Sequence, residues 1–219
     1  MQEQAMGRVA LVAGATGLVG REILAEILAD NSYVAVHGVG RRALTITHRK
    51  LNFHVLDFAA LPALPAVDDV FIALGTTIKV AGSQQAFRAV DFDAVLALAA
   101  AARSSGATRV GIVSAMGASE KSPIFYNRVK GEMEYAVSRL GFESVVFARP
   151  SMLVGDRESL GQPGRSGERL ALIFMKVGTL IPANYRAIEA VRVARALVHA
   201  IKTADKGTRV LLSGDMQGS

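Results

Sequence analysis

The chain contains no cysteine, which excludes a disulfide scaffold, a thiolate metal site and a cysteine nucleophile, and leaves no sign of an oxidising compartment. A reducing cytoplasm fits best. Tryptophan is also absent and aromatic residues make up only 6%, too few for the interleaved stacking platform of a nucleic-acid groove. Long apolar runs are missing as well: Ala94 to Ala102 spans nine residues, about half of the roughly 20 that a membrane-spanning helix needs. The start, MQEQAMGRVALVAG, enters its apolar run through a polar lead and breaks it with glycines, unlike an export signal. The 21 glycines and six prolines show no period, so no repeat architecture is expected.

What is present is enough apolar material for a sizeable core. Hydrophobic residues make up 51% and charged residues 20% of 219 positions, the composition of one folded domain of ordinary size. Lys and Arg number 25 against 19 Asp and Glu, a surplus of +6. Such a surplus favours a polyanionic partner, whether nucleic acid, an anionic membrane or a phosphate-rich small molecule.

Short β-branched runs alternate with amphipathic stretches, the pattern of a parallel sheet wrapped by helices. Strands are expected at Val9–Ala13, Tyr33–Val39, Phe53–Val55, Val70–Ala73, Val110–Val113, Ser144–Ala148 and Val210–Leu212. Helices are expected after Gly20, over Gln84–Ser104 as one long element, over Tyr126–Leu140, and at Glu168–Val177 and Ile188–Lys202. Residues 155 to 167 read as a polar, glycine-rich loop, and the tail after Ser213 as frayed.

The first strand runs into Gly14, Ala15, Thr16, Gly17, Leu18, Val19 and Gly20 before its helix. Glycines in such a turn permit a conformation closed to other residues, let a pyrophosphate approach the backbone, and let helix and strand pack closely. The helix N-terminus then offers free N–H groups to an anion. The alternative is a purely structural turn. After the second strand the chain reads Gly38, Val39, Gly40, Arg41, Arg42, with His48, Arg49 and Lys50 soon after and no acid to accept a ribose 2′-hydroxyl. Guanidinium groups there suit a 2′-phosphate, so NADP(H) is expected over NAD(H); the alternative is a solvated basic loop. Asp57, after the third strand, either accepts a hydrogen bond from an adenine amino group or caps a turn.

Ser114 closes the fifth strand, and Tyr126 and Lys130 stand one turn apart on the next helix, about 6 Å along its axis. A tyrosine hydroxyl titrates near pH 10, so proton transfer at neutral pH needs a neighbouring cation to stabilise the phenolate. Ser114 is placed to polarise a substrate carbonyl. Alone, a Tyr-x-x-x-Lys spacing is common and often only packing; behind a glycine turn and a strand-ending serine it reads as catalytic.

GATGLVG, Ser114 and YNRVK, in this order, resemble the short-chain dehydrogenase/reductase family. LGTTIKVAGSQQAFRAVDFD, VSAMGASEKSPIFYNRVKGEME and RPSMLVGDR resemble more narrowly its atypical branch of Tat-interactive-protein-like and bacterial NAD(P)H-binding oxidoreductases. The resemblance implies a Rossmann-like, doubly wound, mostly parallel sheet flanked by helices over residues 1–219, with residues 155–219 as a short substrate cover. It also implies that Gly14, Thr16, Gly17, Leu18 and Val19 lie along the pyrophosphate, Arg41 and Arg42 at the 2′-phosphate, and Asp57 at the adenine. Leu74, Gly75 and Thr76 would border the adenine ribose side. Lys130 would also bond the nicotinamide ribose, and Pro150, Ser151, Met152 and Leu153 would border the nicotinamide. One departure stands out: many members carry an asparagine in the long fourth helix, whose nearest counterpart here is Asp91, within AVDFD, which reads as a relay variant, a salt-bridge partner or a sign of weak catalysis.

Two functions follow as expectations. The first is an NADPH-dependent oxidoreductase that reduces a small carbonyl or quinone-like substrate through Ser114, Tyr126 and Lys130. The second is an NADP(H)-sensing interaction protein with vestigial catalysis. The expected partner is a small molecule, with no nucleic acid and no membrane, in a monomer or homodimer. No metal is expected: His37, His48, His54 and His199 show no paired ligand spacing on a common face. Ser114 lacks the G-x-S-x-G setting of a hydrolase nucleophile.

Overall fold

The computed structural model describes residues 7–154 and 182–218. The expected loop over residues 155 to 167 and the helical pattern at Glu168–Val177 lie outside them. The chain runs β1 (Arg8–Ala13), α1 (Leu18–Ala29), β2 (Tyr33–Gly40), β3 (Leu51–Val55), β4 (Asp69–Ile72), α2 (Ile78–Ala81) and α3 (Gln84–Arg88). A π-helical turn (Ala89–Ala94) leads into α4 (Val95–Ser104), followed by β5 (Arg109–Val113), α5 (Phe125–Ser138), β6 (Ser144–Arg149) and β7 (Leu153–Val154). After the gap come β8 (Ile188–Glu189), α6 (Ala190–Lys202), β9 (Gly207–Leu212) and α7 (Ser213–Met216).

Seven strands form one parallel sheet in the order β3-β2-β1-β4-β5-β6-β9. Helices cover both faces, so the central strands have no wet side; Ala10 to Ala13 and Val70 to Ile72 are fully buried, which is why they read as unbroken apolar runs. On one face α1 and α6 pack through Ile23, Ile27, Val193 and Leu197 against Val12, Phe71 and Val146. On the other, Val95, Leu98, Met133 and Val137 of α4 and α5 cover Leu11, Ile72, Ile112 and Phe147. This is the parallel sheet wrapped by helices that the apolar pattern implies, and the doubly wound form that the resemblance implies. The chain order reverses between β1 and β4, and at such a point the loops leaving the two strands diverge and open a crevice.

Two expectations about local structure are corrected. The single helix over Gln84–Ser104 is interrupted by the π-helical turn, where Asp91 is fully buried; the buried stripe continues across the wider turn, so periodicity alone misses it. The tail after Ser213 is not frayed. Met216 is fully buried in the core, the Ser213 hydroxyl accepts the Ser151 N–H at 2.7 Å, and Asp215 accepts the Leu212 N–H at 2.8 Å.

Buried charge anchors the sheet's N-terminal edge. Asp69 accepts hydrogen bonds from Tyr33 Oη at 2.7 Å and Arg109 Nε at 2.7 Å, with Arg8 at 3.4 Å. Burial, and then the Asp69 charge, push the Tyr33 hydroxyl far above its ordinary range. At the end of α1, Asp30 pairs with Lys202 of α6 and accepts the Ser32 N–H and hydroxyl, each at 2.8 Å. Burial opposes ionisation of Asp30, yet Lys202 and Ser32 hold its carboxyl down to about 2. A depressed folded pKa means stability that is complete above the unfolded value of about 4 and is lost as pH falls through about 2. Asp30→Asn is therefore expected to lower stability by about 1–2 kcal/mol at pH 7. The gap between its urea midpoint and that of the wild type should close as pH approaches 2; a gap constant with pH would contradict the assignment.

Candidate functional site

The crevice forms where β1 hands over to α1. Gly14 has φ +86°, and a Cβ there would lie 2.5 Å from the Ala73 carbonyl oxygen; a Cβ on Gly20 would lie 2.1 Å from Gly14 O. Backbone thus packs on backbone at both positions, which only glycine allows. The Gly17 N–H closes the turn onto Gly14 O at 2.8 Å. Gly17 then caps α1 with no side-chain bond and no acid in the first turn, so the helix N-terminus keeps its donors and partial positive charge for an incoming anion.

A cleft of about 280 Å³ opens there. Its walls are Gly14 to Gly17 on one side, Val39 to Arg42, Phe53, Asp57 and Phe58 on a second, and Ala73 to Gly75 with Ala89, Val90 and Ala94 on a third. The structure therefore brings Gly14, Thr16, Gly17, Arg41, Arg42, Asp57, Leu74 and Gly75 together. Leu18 and Val19 instead turn their side chains into the core, 5% exposed each, and Gly20 packs under the turn. Only backbone groups of these three face the helix N-terminus. Arg41 and Arg42 are exposed, and no hydrogen bond or ion pair engages either among the described residues. Asp57 lines the cleft while its carboxylate also accepts the Ala59 N–H at 3.0 Å, so it caps a turn as well.

Lys50 is not part of this basic edge. It is buried, and its ammonium donates to the carbonyls of Leu28 and Asp30 at the end of α1. The histidine reading also needs correction. His37 and His54 share one face of β2 and β3, with ring nitrogens 3.0 Å apart. Alternation along each strand is visible in sequence, but the cross-strand register that makes them neighbours is not. Burial, then the field of His54, hold His37 below its usual value. Among the described residues no three metal-ligating side chains cluster.

A second hollow, about 330 Å³, lies beyond Gly75 and is lined by Thr77, Ile78, Ala115, Met116, Tyr126, Pro150 and Ser151. The Tyr126 ring packs 5.3 Å from Phe87. Ser114 is buried, and its Oγ has no hydrogen-bond partner among the described residues. One turn after Tyr126, the Lys130 ammonium is 2.8 Å from Asp91 Oδ1. The contact is an ion pair without hydrogen-bond alignment, since Oδ1 has no aligned donor. Asp91 Oδ2 accepts the Thr76 N–H at 2.8 Å. A Cβ on Gly75 would lie 3.4 Å from Asp91 Oδ1 and 3.9 Å from Lys130 Nζ, so the pair sits just behind the cleft wall.

The remaining candidates are dispersed. Pro150 and Ser151 reach the second hollow, but the Ser151 hydroxyl is already bonded to the Arg186 carbonyl and to Ser213. Met152 is 38% exposed and lines neither space, and Leu153 packs against the core. Sequence reasoning passed over Phe53, Phe58 and Val90 in the cleft, and Ile78 and Met116 in the hollow. Phe58, Ile78 and Met116 lie within two residues of Asp57, Thr76 and Ser114, and that adjacency was the available signal.

A parallel sheet with a glycine turn and an open helix N-terminus at its reversal point defines a dinucleotide-binding α/β protein. The family model described as NAD(P)H-binding matches residues 14–153. Protein HTATIP2 of Rattus norvegicus is 36% identical over 210 residues, covering 92% of this chain and 84% of its own. Protein fmp52, mitochondrial, of Emericella nidulans is 36% identical over 179 residues, 77% of this chain and 75% of its own. Among solved structures, MoeE5 in complex with UDP-glucose and NAD superposes with a TM-score of 0.71 at 20% identity, over 94% of this chain and 75% of that one. A short chain dehydrogenase family protein from Francisella tularensis subsp. tularensis SCHU S4 gives 0.68 at 13% identity, over 95% and 98%. The chain belongs to the NAD(P)H-binding family, within the atypical short-chain dehydrogenases/reductases that include the HTATIP2 and FMP52 proteins.

The buried pair yields a stability test. Lys130→Met would strand the Asp91 carboxylate without its cation and is expected to cost about 3–5 kcal/mol. Adding Asp91→Asn, which keeps an acceptor for Thr76, should recover most of that loss in urea unfolding. Strictly additive losses would show that the two charges are not coupled.

Proposed function

We propose that this protein is an NADPH-dependent oxidoreductase that reduces a small carbonyl compound at Ser114, Tyr126 and Lys130. The observation that carries the reading is the buried Ser114 Oγ, without a partner among the described residues, next in the chain to Ala115 of the Tyr126 hollow. A hydroxyl out of water without a partner is unfavourable, and a substrate oxygen would satisfy it. The residues present also fit the cofactor. Gly14 and Gly20 leave no room for side chains in the turn, the α1 N-terminus has no side-chain cap, and two guanidinium groups, unpaired among the described residues, stand at the end of β2 on the cleft wall that also carries Asp57.

In this reading the α1 N-terminus holds the pyrophosphate, Arg41 and Arg42 hold the 2′-phosphate, and Asp57 faces the adenine. A nicotinamide held there would supply the hydride. Ser114 donates a hydrogen bond to the substrate carbonyl and fixes its orientation. As the carbonyl carbon gains hydride, Tyr126 gives its proton to the oxygen, leaving an alcohol. The Lys130 ammonium favours departure of that proton, and Asp91 offsets part of its field.

That offset favours the second reading, an NADP(H)-sensing protein with little turnover. The cysteine-free composition supports a cytoplasmic setting, while the FMP52 relatives are named as mitochondrial.

Tyr126→Phe is expected to lose about 10²–10⁴ in turnover with unchanged NADPH affinity. Unchanged turnover would contradict the mechanism, and tight NADPH binding with no oxidation across aldehydes, ketones and quinones would favour the sensor. Arg41→Ala or Arg42→Ala is expected to weaken NADPH about 10- to 100-fold, the worth of a charge-assisted bond, and NADH little. Equal wild-type affinity for both cofactors would overturn the NADP(H) preference.

A further inference from the structure

His37 and His54 line neither the crevice nor the Tyr126 hollow. His37 stands on β2 opposite Leu11 of β1 and Asn52 of β3, and His54 stands on β3 opposite Val39. Paired residues of neighbouring strands share a face, as do residues two apart on one strand. His37, Asn52 and His54 therefore lie together on the face that carries Leu11 and Val39. β3 ends the sheet on this side, and the face is open there: Asn52 and His54 are exposed and His37 is partly buried.

The two imidazoles are set as a pair. His37 Nδ1 lies 3.0 Å from His54 Nε2, with the ring planes 25° apart. Beyond this mutual contact neither ring makes a hydrogen bond among the described residues, and none engages the Asn52 carboxamide. Two nitrogens bound to one ion at about 2.1 Å lie about 3.0 Å apart when cis in a square or octahedral field, and about 3.4 Å apart on a tetrahedral ion. The observed spacing is the first of these. Asn52, one strand spacing or about 4.8 Å across from His37, adds a carboxamide oxygen to the same face. No third histidine, cysteine or carboxylate joins the group among the described residues, so water would complete the shell.

We infer that His37, His54 and Asn52 form a binding site for one first-row divalent cation of tetragonal or octahedral preference, nickel(II) or copper(II), at the β2–β3 edge. His37 Nδ1 and His54 Nε2 bind the ion, and the ring protons sit on His37 Nε2 and His54 Nδ1. Magnesium and calcium, which prefer shells of oxygen, are rejected. The ion ties β3, which pairs with β2 alone, to the strand that leads into Arg41 and Arg42. The site stands apart from Ser114, Tyr126 and Lys130 and does not depend on the reductase reading.

The test uses the full chain without a histidine tag and calorimetric titration with Ni²⁺, Cu²⁺, Zn²⁺ and Mg²⁺ at pH 7.5. One Ni²⁺ or Cu²⁺ per chain is expected, and no Mg²⁺. Loss of either ring leaves one nitrogen in place of a chelate, so His37→Asn and His54→Asn should each weaken both ions about 100-fold. His199→Asn, on α6, should leave them unchanged. Asn52→Asp, a charged oxygen at an exposed position, should tighten both at least about tenfold, the scale on which changes around a metal shell move affinity; this arm gains binding and so does not depend on a variant that fails to fold. Pulsed EPR of the one-to-one Cu²⁺ protein should show two imidazole nitrogens in the wild type and one in either histidine variant. Ni²⁺ should raise the urea midpoint of the wild type and not that of His54→Asn. A wild type that retains neither ion, histidine variants that bind as tightly as it does, or Zn²⁺ held more tightly than Cu²⁺ overturns the inference.

Discussion

Lys130 and Asp91 sit in the interior with 4% and 1% of their side chains exposed, and neither charge could remain there without the other. A lone buried ion is strongly unfavourable, so the pair forces three elements into register: the turn after β4 through the Thr76 N–H, the π-helical turn through Asp91, and α5 through Lys130. That constraint places the cofactor-side wall at Gly75 directly against the ammonium that follows Tyr126 by one turn. The crevice wall at Gly75 therefore rests against one buried ion pair.

The Asp91 carboxylate lies 2.8 Å from the Lys130 ammonium, so the field of that lysine is partly neutralised within the fold. The fold around it is ordinary for the class. Both readings of the chain's function turn on how far Asp91 damps Lys130.

Much of this was legible in the sequence. Strands buried on both faces appear as unbroken apolar runs, and a glycine turn between a strand and a helix states its own geometry, so β1 and α1 could be read directly. Positions decided by tertiary register could not. Lys50 looked like one more cation in a basic stretch, yet it closes the C-terminus of α1 through two carbonyls. Met216 sat in a polar tail, yet it is fully buried. His37 and His54 lie on separate strands, and only the β2–β3 register makes them neighbours.

The basic surplus divides in the same way. Arg8 and Arg109 serve Asp69, Arg149 serves Glu134, and Arg195 serves Glu26, all within the fold. Arg41 and Arg42 line the crevice without a partner among the described residues. Composition counts these arginines alike; burial and pairing separate those that hold the structure from those left for a ligand.

The central claim is that the crevice and the Tyr126 hollow together carry out hydride transfer. It is tested most directly by following deuterium from NADPH carrying deuterium at both nicotinamide C4 positions into an aldehyde, with the product alcohol read by mass spectrometry. The account predicts an alcohol one mass unit heavier that forms with wild-type protein. Tight NADPH binding with no deuterium in any alcohol would contradict it.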